Sequence, residues 1–213
     1  MRLKYLALAG ALLAPVAASA TPGLSGAYYQ LPHAVSSVFD ANTAVMGSAP
    51  AATFTATTVC FPNCGGSASD YSSTLSDFLG GNATNLVGAA TLSPINQHFV
   101  ALTGFITTTA VIHDFQLASD DGSVLFIDGA LVVNDDGLHG IKYVDSTITL
   151  TAGAHAITIW QHENEGGTGL SAWYDFNPIS SSITSTTVPE PASLALLGLG
   201  FGGLGLIARR RAA

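Results

Sequence analysis

The chain has 213 residues, the length of one sizeable domain, yet only 9% are charged and the mean hydropathy is +0.42. All 14 acidic residues lie between Asp40 and Glu190. Arg2, Lys4, Arg209, Arg210 and Arg211 sit at the two ends, which leaves Lys142 as the one basic residue of the body. So acidic a body offers nothing to a phosphate backbone, which excludes nucleic-acid binding, and it should attract cations.

In chain order, Arg2 and Lys4 precede an apolar run over 5–16, and Ala18-Ser19-Ala20 supplies a small-x-small cleavage pattern. Residues 1–20 therefore read as a secretory signal peptide; the run is shorter than the ~20 apolar residues that span a bilayer. Residues 35–97 are rich in Ala, Ser, Thr and Gly, carry only Asp40, Asp70 and Asp77 as charges, and show no clear periodicity. Long loops with a few short strands are expected there. Within them, Cys60-Phe61-Pro62-Asn63-Cys64 is a C-x3-C loop. In an exported chain it reads as a local disulfide between Cys60 and Cys64. Two thiols with no His nearby make a poor metal site, and the C-x-x-C redox spacing is missing.

From residue 98 the pattern sharpens. Residues 99–107, 110–118, 124–127, 130–133, 147–151, 156–160 and 170–176 are β-branched or aromatic runs, punctuated by Gly, Asp and Asn. Ile148 and Leu150 alternate with Thr147, Thr149 and Thr151, as expected where one sheet face is buried and the other wet. Short strands with tight turns point to an all-β fold, an antiparallel sandwich or barrel.

One hairpin has a predictable register. Asp128-Gly129 is a two-residue turn of the kind that favours positive φ. Closed as such, it sets Phe126 opposite Leu131, Val124 opposite Val133 and Asp121 opposite Asp136. Two Asp-Asp-Gly sequences, 120–122 and 135–137, then meet at its open end. Facing like charges destabilise a sheet, and a hard cation binding carboxylate oxygens relieves them, Ca²⁺ before Mg²⁺ in an all-protein oxygen site. Turn formation alone accounts for one such sequence more readily than for both.

Catalytic signatures are absent: no G-x-S-x-G elbow, H-E-x-x-H helix or phosphate loop occurs. Glu163 and Glu165 flank a Gly-rich loop that shows no apolar pocket to raise one carboxyl pKa, so no acid/base pair is expected. The six histidines lack metal spacing, and His139, beside the Asp cluster, is the one to watch. Trp160, Trp173, Tyr143 and Tyr174 are available to stack on a sugar ring.

The chain closes on a Ser/Thr-rich stretch at 179–187, read as a linker, then Val188-Pro189-Glu190-Pro191, an apolar stretch at 192–208 and Arg209-Arg210-Arg211. The apolar stretch is long enough to span a bilayer, with the arginines holding the end in the cytoplasm. Residues 188–213 resemble the PEP-CTERM sorting signal of Gram-negative, exopolysaccharide-producing bacteria. That resemblance implies transient membrane insertion, handling by an exosortase, and delivery to the cell surface or extracellular matrix.

The body, residues 21–178, carries a second resemblance. Gly23-Leu24-Ser25-Gly26-Ala27-Tyr28-Tyr29, the block from Phe115 through Asp120-Asp121-Gly122 to Asp128-Gly129, and Glu163-Asn164-Glu165-Gly166-Gly167 with Leu170-Ser171-Ala172-Trp173 look like the protective-antigen (PA-fourteen) β-sandwich domain. In adhesin members an adjacent Asp pair joined by a cis peptide holds a Ca²⁺ that binds sugar hydroxyls. Those positions map onto Asp120 and Asp121, and a later Asn onto Asn164. The expected metal set is Asp120, Asp121, Asn164 and Asp136, and the expected ligand set Asp120, Asp121, Asn164 and Trp173. The chain is thus expected to be a non-enzymatic, calcium-dependent carbohydrate-binding module engaging exopolysaccharide or surface glycan. A structural biofilm-matrix protein with no specific ligand is the alternative.

Overall fold

Thirteen short strands and two helices build the domain in the computed structural model, which describes residues 22–64, 73–88, 90–91 and 95–186. The signal peptide and the sorting signal, with Pro189, Glu190, Pro191 and the three terminal arginines, lie outside the described residues. The strands are Leu24–Gln30 (β1), Ala52–Ala56 (β2), Cys60–Phe61 (β3), Ala83–Gly88 (β4), His98–Thr108 (β5), Ile112–Asp120 (β6), Ser123–Ile127 (β7), Ala130–Asp135 (β8), Lys142–Thr149 (β9), Gly153–Glu163 (β10), Gly169–Tyr174 (β11), Asn177–Pro178 (β12) and Thr184–Ser185 (β13). The helices are Val38–Val45 (α1) and Leu75–Leu79 (α2). Among the described residues no helix is long and apolar enough to cross a membrane.

The strands form two sheets. The larger runs β4-β2-β1-β5-β10-β7-β8, with β13 also on β5; the smaller runs β12-β11-β6-β9, with β3 also on β11. Each of the strands expected after residue 98 is present as β5 to β11 and all pairings are antiparallel, so the fold is the expected all-β sandwich. Period-two burial explains why. His155, Ile157 and Ile159 of β10 point inward, while Ala156, Thr158 and Trp160 face the other side. Leu24, Tyr28, Val100, Leu102, Ile157 and Ile159 of the larger sheet meet Phe115, Leu117, Leu170 and Ala172 of the smaller one in a single core.

Residues 35–97 hold more regular structure than the expected loops. Helix α1 starts at Ser37, whose hydroxyl accepts from the Phe39 N–H. It buries Val38, Ala41 and Val45 in one apolar cluster with Phe99 and Val124 on the outside of the larger sheet. A helix this short is held by that packing rather than by propensity, and so leaves a weak trace in the sequence. Helix α2 is closed by a capping box between Thr74 and Asp77. Cys60 and Cys64 form the expected disulfide.

Two further expectations need correction. The β7–β8 hairpin keeps the predicted register only at Ile127↔Ala130 and Phe126↔Leu131. A bulge then shifts it, so Val124 faces Asn134, not Val133, and Asp121 does not pair with Asp136. At the C-terminal end, the expected linker at 179–187 belongs to the fold through residue 186. Ile179 is fully buried, Thr184 and Ser185 pair with Ile106 and Phe105, and Thr58 bridges to Ser180.

Candidate metal and ligand site

Strand β6 of the smaller sheet ends at Asp120, and β10 of the larger sheet ends at Glu163. One carboxylate oxygen from each of Asp120, Asp121 and Glu163 lies within 4.8 Å of the other two. The Asp120–Asp121 peptide is cis, as the resemblance implies. Asp121, nearly buried, holds two loops at once: Oδ1 accepts from the His139 N–H at 2.9 Å and Oδ2 from the Asn164 N–H at 3.0 Å. The backbone oxygen of Asp120 accepts from Gln161 Nε2 at 3.0 Å and from Thr168 Oγ1 at 3.3 Å. Gly122 lets the two Asp-Asp-Gly segments pass closely, since a Cβ there would lie 2.6 Å from the Gly137 nitrogen.

The electrostatics are those of an anionic pocket without a counter-charge. Glu163 is fully buried, and neither of its carboxylate oxygens finds a hydrogen-bond partner. Burial, and then the charges of Asp121 and Asp120, push its pKa up to about 9. Asp120 is raised to about 6, first by burial and then by Asp121, with His139 opposing. The Oδ1 of Asn164 is also buried and unpartnered. The one basic side chain of the body is committed elsewhere, Lys142 Nζ lying 2.6 Å from Asp135 Oδ1. Buried polar atoms normally find partners. An oxygen-only set of carboxylates and an amide, with orphaned oxygens, fits a hard divalent cation.

The structure sorts the expected site residues. Asp120 and Asp121 converge, and Asn164 joins them through its backbone and its buried amide oxygen. Asp136 does not. Its Oδ1 accepts from the Val38 N–H at 2.7 Å and its Oδ2 from Ser37 Oγ at 2.8 Å, so it anchors the start of α1. Trp173 does not either. It pairs with Gln116, four positions along β6 from Asp120, about 13 Å away along the strand. Trp160 packs edge-on to Phe99 and Phe126, and Tyr174 packs on His113 and Phe115, so neither stacks at the cluster. Glu163 is the site residue that sequence reasoning passed over, and the expected absence of an environment raising its pKa is wrong. A signal was present: Glu163 is in phase with inward-pointing Ile157 and Ile159, while Glu165 lies beyond the strand and is exposed. Beside the cluster lies an open cleft of about 660 Å³, lined by His33, Val35, Asp40, Thr43, Leu138 and Asn164 among others.

Residues 88–186 match the PA14 domain family, and residues 187–211 match the PEP-CTERM protein-sorting motif, which implies export and sorting to the cell surface. A PA14 sugar-binding domain from an RTX adhesin shares the fold at 22% identity and TM-score 0.68, covering 79% of this chain and 100% of that one. The PA14 domain of the MpAFP antifreeze protein does so at 21% and 0.66, covering 79% and 92%. The Epithelial Adhesin 6 A domain of Candida glabrata, solved with Galβ1-3GlcNAc, does so at 14% and 0.55, covering 83% and 92%. Among curated protein sequences no relative matches.

Proposed function

We propose that this PA14 domain is a calcium-dependent glycan-binding module, carried to the surface of a Gram-negative cell by its PEP-CTERM motif and exosortase processing, where it holds exopolysaccharide. The observation that carries the reading is the convergence of Asp120, Asp121 and Glu163 within 4.8 Å, with both Glu163 oxygens and the Asn164 amide oxygen buried and unpartnered. Asp120, Asp121, Glu163 and Asn164 hold the ion. Once bound, the ion supplies coordination positions that the vicinal hydroxyls of a sugar can take from water. Backbone N–H groups of His139 and Asn164 fix the Asp121 carboxylate, so the loops that carry them and line the adjoining cleft are positioned together with the ligand atoms. That cleft mixes apolar Val35 and Leu138 with polar His33, Asp40 and Thr43, which suits the next sugar of a chain. Binding is favoured over hydrolysis because Glu163, the carboxyl with the most raised pKa, is fully buried and cannot reach a glycosidic oxygen.

Thermal melting in millimolar Ca²⁺ and in EDTA, followed by a glycan array under both conditions, tests the reading. Calcium bound by the folded state alone should stabilise it by about 2.7 kcal/mol at a hundredfold excess over Kd. Asp121→Asn should abolish that rise and the calcium-dependent glycan signal while leaving the sandwich folded. A wild-type melting temperature indifferent to both calcium and EDTA would sink the proposal and leave the matrix-protein reading in its place.

A further inference from the structure

The outer face of the smaller sheet carries a pair of aromatic rings that the metal site does not use. Tyr143 of β9 and Trp173 of β11 sit diagonally across β6, with ring centroids 5.8 Å apart and planes tilted by 33°. The register sets Ala118 opposite both Tyr143 and Ser171, and Gln116 opposite both Trp173 and Asp145. Ala118 is small and buried, leaving room for the two rings to meet above it. Tyr143 is 50% exposed and Trp173 partly so. Polar groups flank the rings, and among the described residues neither the Gln116 amide nor the Asp145 and Asp114 side chains make a hydrogen bond. Asp114 faces Thr147 and Asp145 faces Gln116, so the two carboxylates stand diagonally across β6 and β9 on this face; burial, then the charges of Asp145 and Asp175, raise the Asp114 carboxyl.

We infer that the Tyr143–Trp173 face is a second, metal-independent glycan site, a platform that takes an uncharged stretch of polysaccharide by ring stacking. A pyranose is apolar on its C–H faces and a ring of hydroxyl donors at its edge, and this face offers the complement of both. The rings receive the C–H faces, while Asp145, Asp114 and the Gln116 carbonyl accept from hydroxyls and the Gln116 amide donates. Uronate or sulfated sugars are excluded, because the carboxylates repel them and no arginine or lysine stands among the residues named. A folded protein partner fits less well. Stable interfaces bury about 1,600 Å² around an apolar centre depleted of charge, whereas here the two rings stand among Gln116, Asp145, Asp114 and Thr147, and exposed Ile112 lies apart from them at the far end of β6 opposite Thr149. Trp173 lies about 13 Å along the sheet from Asp120, whereas Tyr143 faces Ala118, about 7 Å from it, so binding in EDTA is what separates the platform from the metal reading.

The test is affinity electrophoresis of the full chain in EDTA through a β-glucan, a mannan, a galactan and alginate, with tryptophan fluorescence as a second readout. At least one neutral polysaccharide should retard the wild type and shift its fluorescence, while alginate does neither. Trp173→Ala and Tyr143→Ala should each weaken that retardation about tenfold, equivalent to roughly 1.4 kcal/mol, and both should keep the calcium-dependent rise in melting temperature. The exposed Tyr143 variant serves if Trp173→Ala proves unstable. Asp121→Asn should be retarded like the wild type in EDTA. The inference is overturned if no neutral polysaccharide retards the wild type in EDTA, if both ring variants are retarded like the wild type, if alginate binds as well as the neutral polymers, or if sedimentation shows that the face instead pairs two copies of the chain.

Discussion

Asp128 occupies a turn position with φ of +51°, a conformation that Asp tolerates better than most residues. Its side chain then reaches the neighbouring strand β10: Oδ1 accepts from the Ala156 N–H at 2.8 Å and Oδ2 lies 2.6 Å from His155 Nδ1. The pair moves both pKa values. His155 is raised by the Asp128 hydrogen bond first and the Thr151 carbonyl next, and Asp128 is lowered by His155 and Ala156 against an opposing burial effect. A raised His contributes stability that is complete below its unfolded value of 6.5 and is lost as pH rises through the folded one; a lowered Asp contributes stability lost as pH falls below 3.8. Asp128→Asn should therefore cost about 1 kcal/mol, and more at pH 6 than at pH 8, as read by melting in EDTA at the two pH values. A turn motif in the sequence announces Asp128 as a turn former but says nothing of His155. Glu163 is a related case. Its side of the sheet was readable from the alternation with Ile157 and Ile159, whereas its burial beside Asp120 and Asp121 depends on the end of β6, far away in the sequence, which no local pattern records.

At the scale of elements, strands after residue 98 were legible because each carries its own period-two signal, and the core they build follows from it. The start of α1 was not legible. It depends on Asp136, 98 residues away from Val38, whose carboxylate accepts from the first turn. The same observation moves Asp136 from the metal set to a capping role. Asp136→Ala should lower stability by about 1 kcal/mol while the melting temperature still rises on adding calcium; loss of that calcium response would return Asp136 to the metal set. The β7–β8 register failed for a comparable reason. The Asp128-Gly129 turn dictates pairing next to itself, and the bulge beyond Phe126 answers to packing further along the strands.

For the whole molecule, residues Ala20–Val188 make one compact unit. The hydroxyl-rich segment read as a linker contributes Ile179 to the core and β13 to the larger sheet. Ending the chain after Thr187 should leave a soluble folded domain, and ending it after Pro178 should cost about 2–4 kcal/mol by removing a fully buried isoleucine and its surroundings. Equal melting temperatures for the two truncations would contradict the structural role of β13.

Strand β13 meets β5 at Ile106 and Phe105, whereas Glu163 pairs with His98 at the other end of β5, roughly 26 Å along the strand. Under the proposed function, a pull applied through residue 186 and a glycan held at Asp120, Asp121 and Glu163 would act at opposite ends of β5. Tension between them runs along β5 and β10, across a ladder of hydrogen bonds set perpendicular to the load. Those bonds would share the force in shear and yield together, so on the proposed function the longest strand pair among the described residues is also the one placed to carry mechanical load.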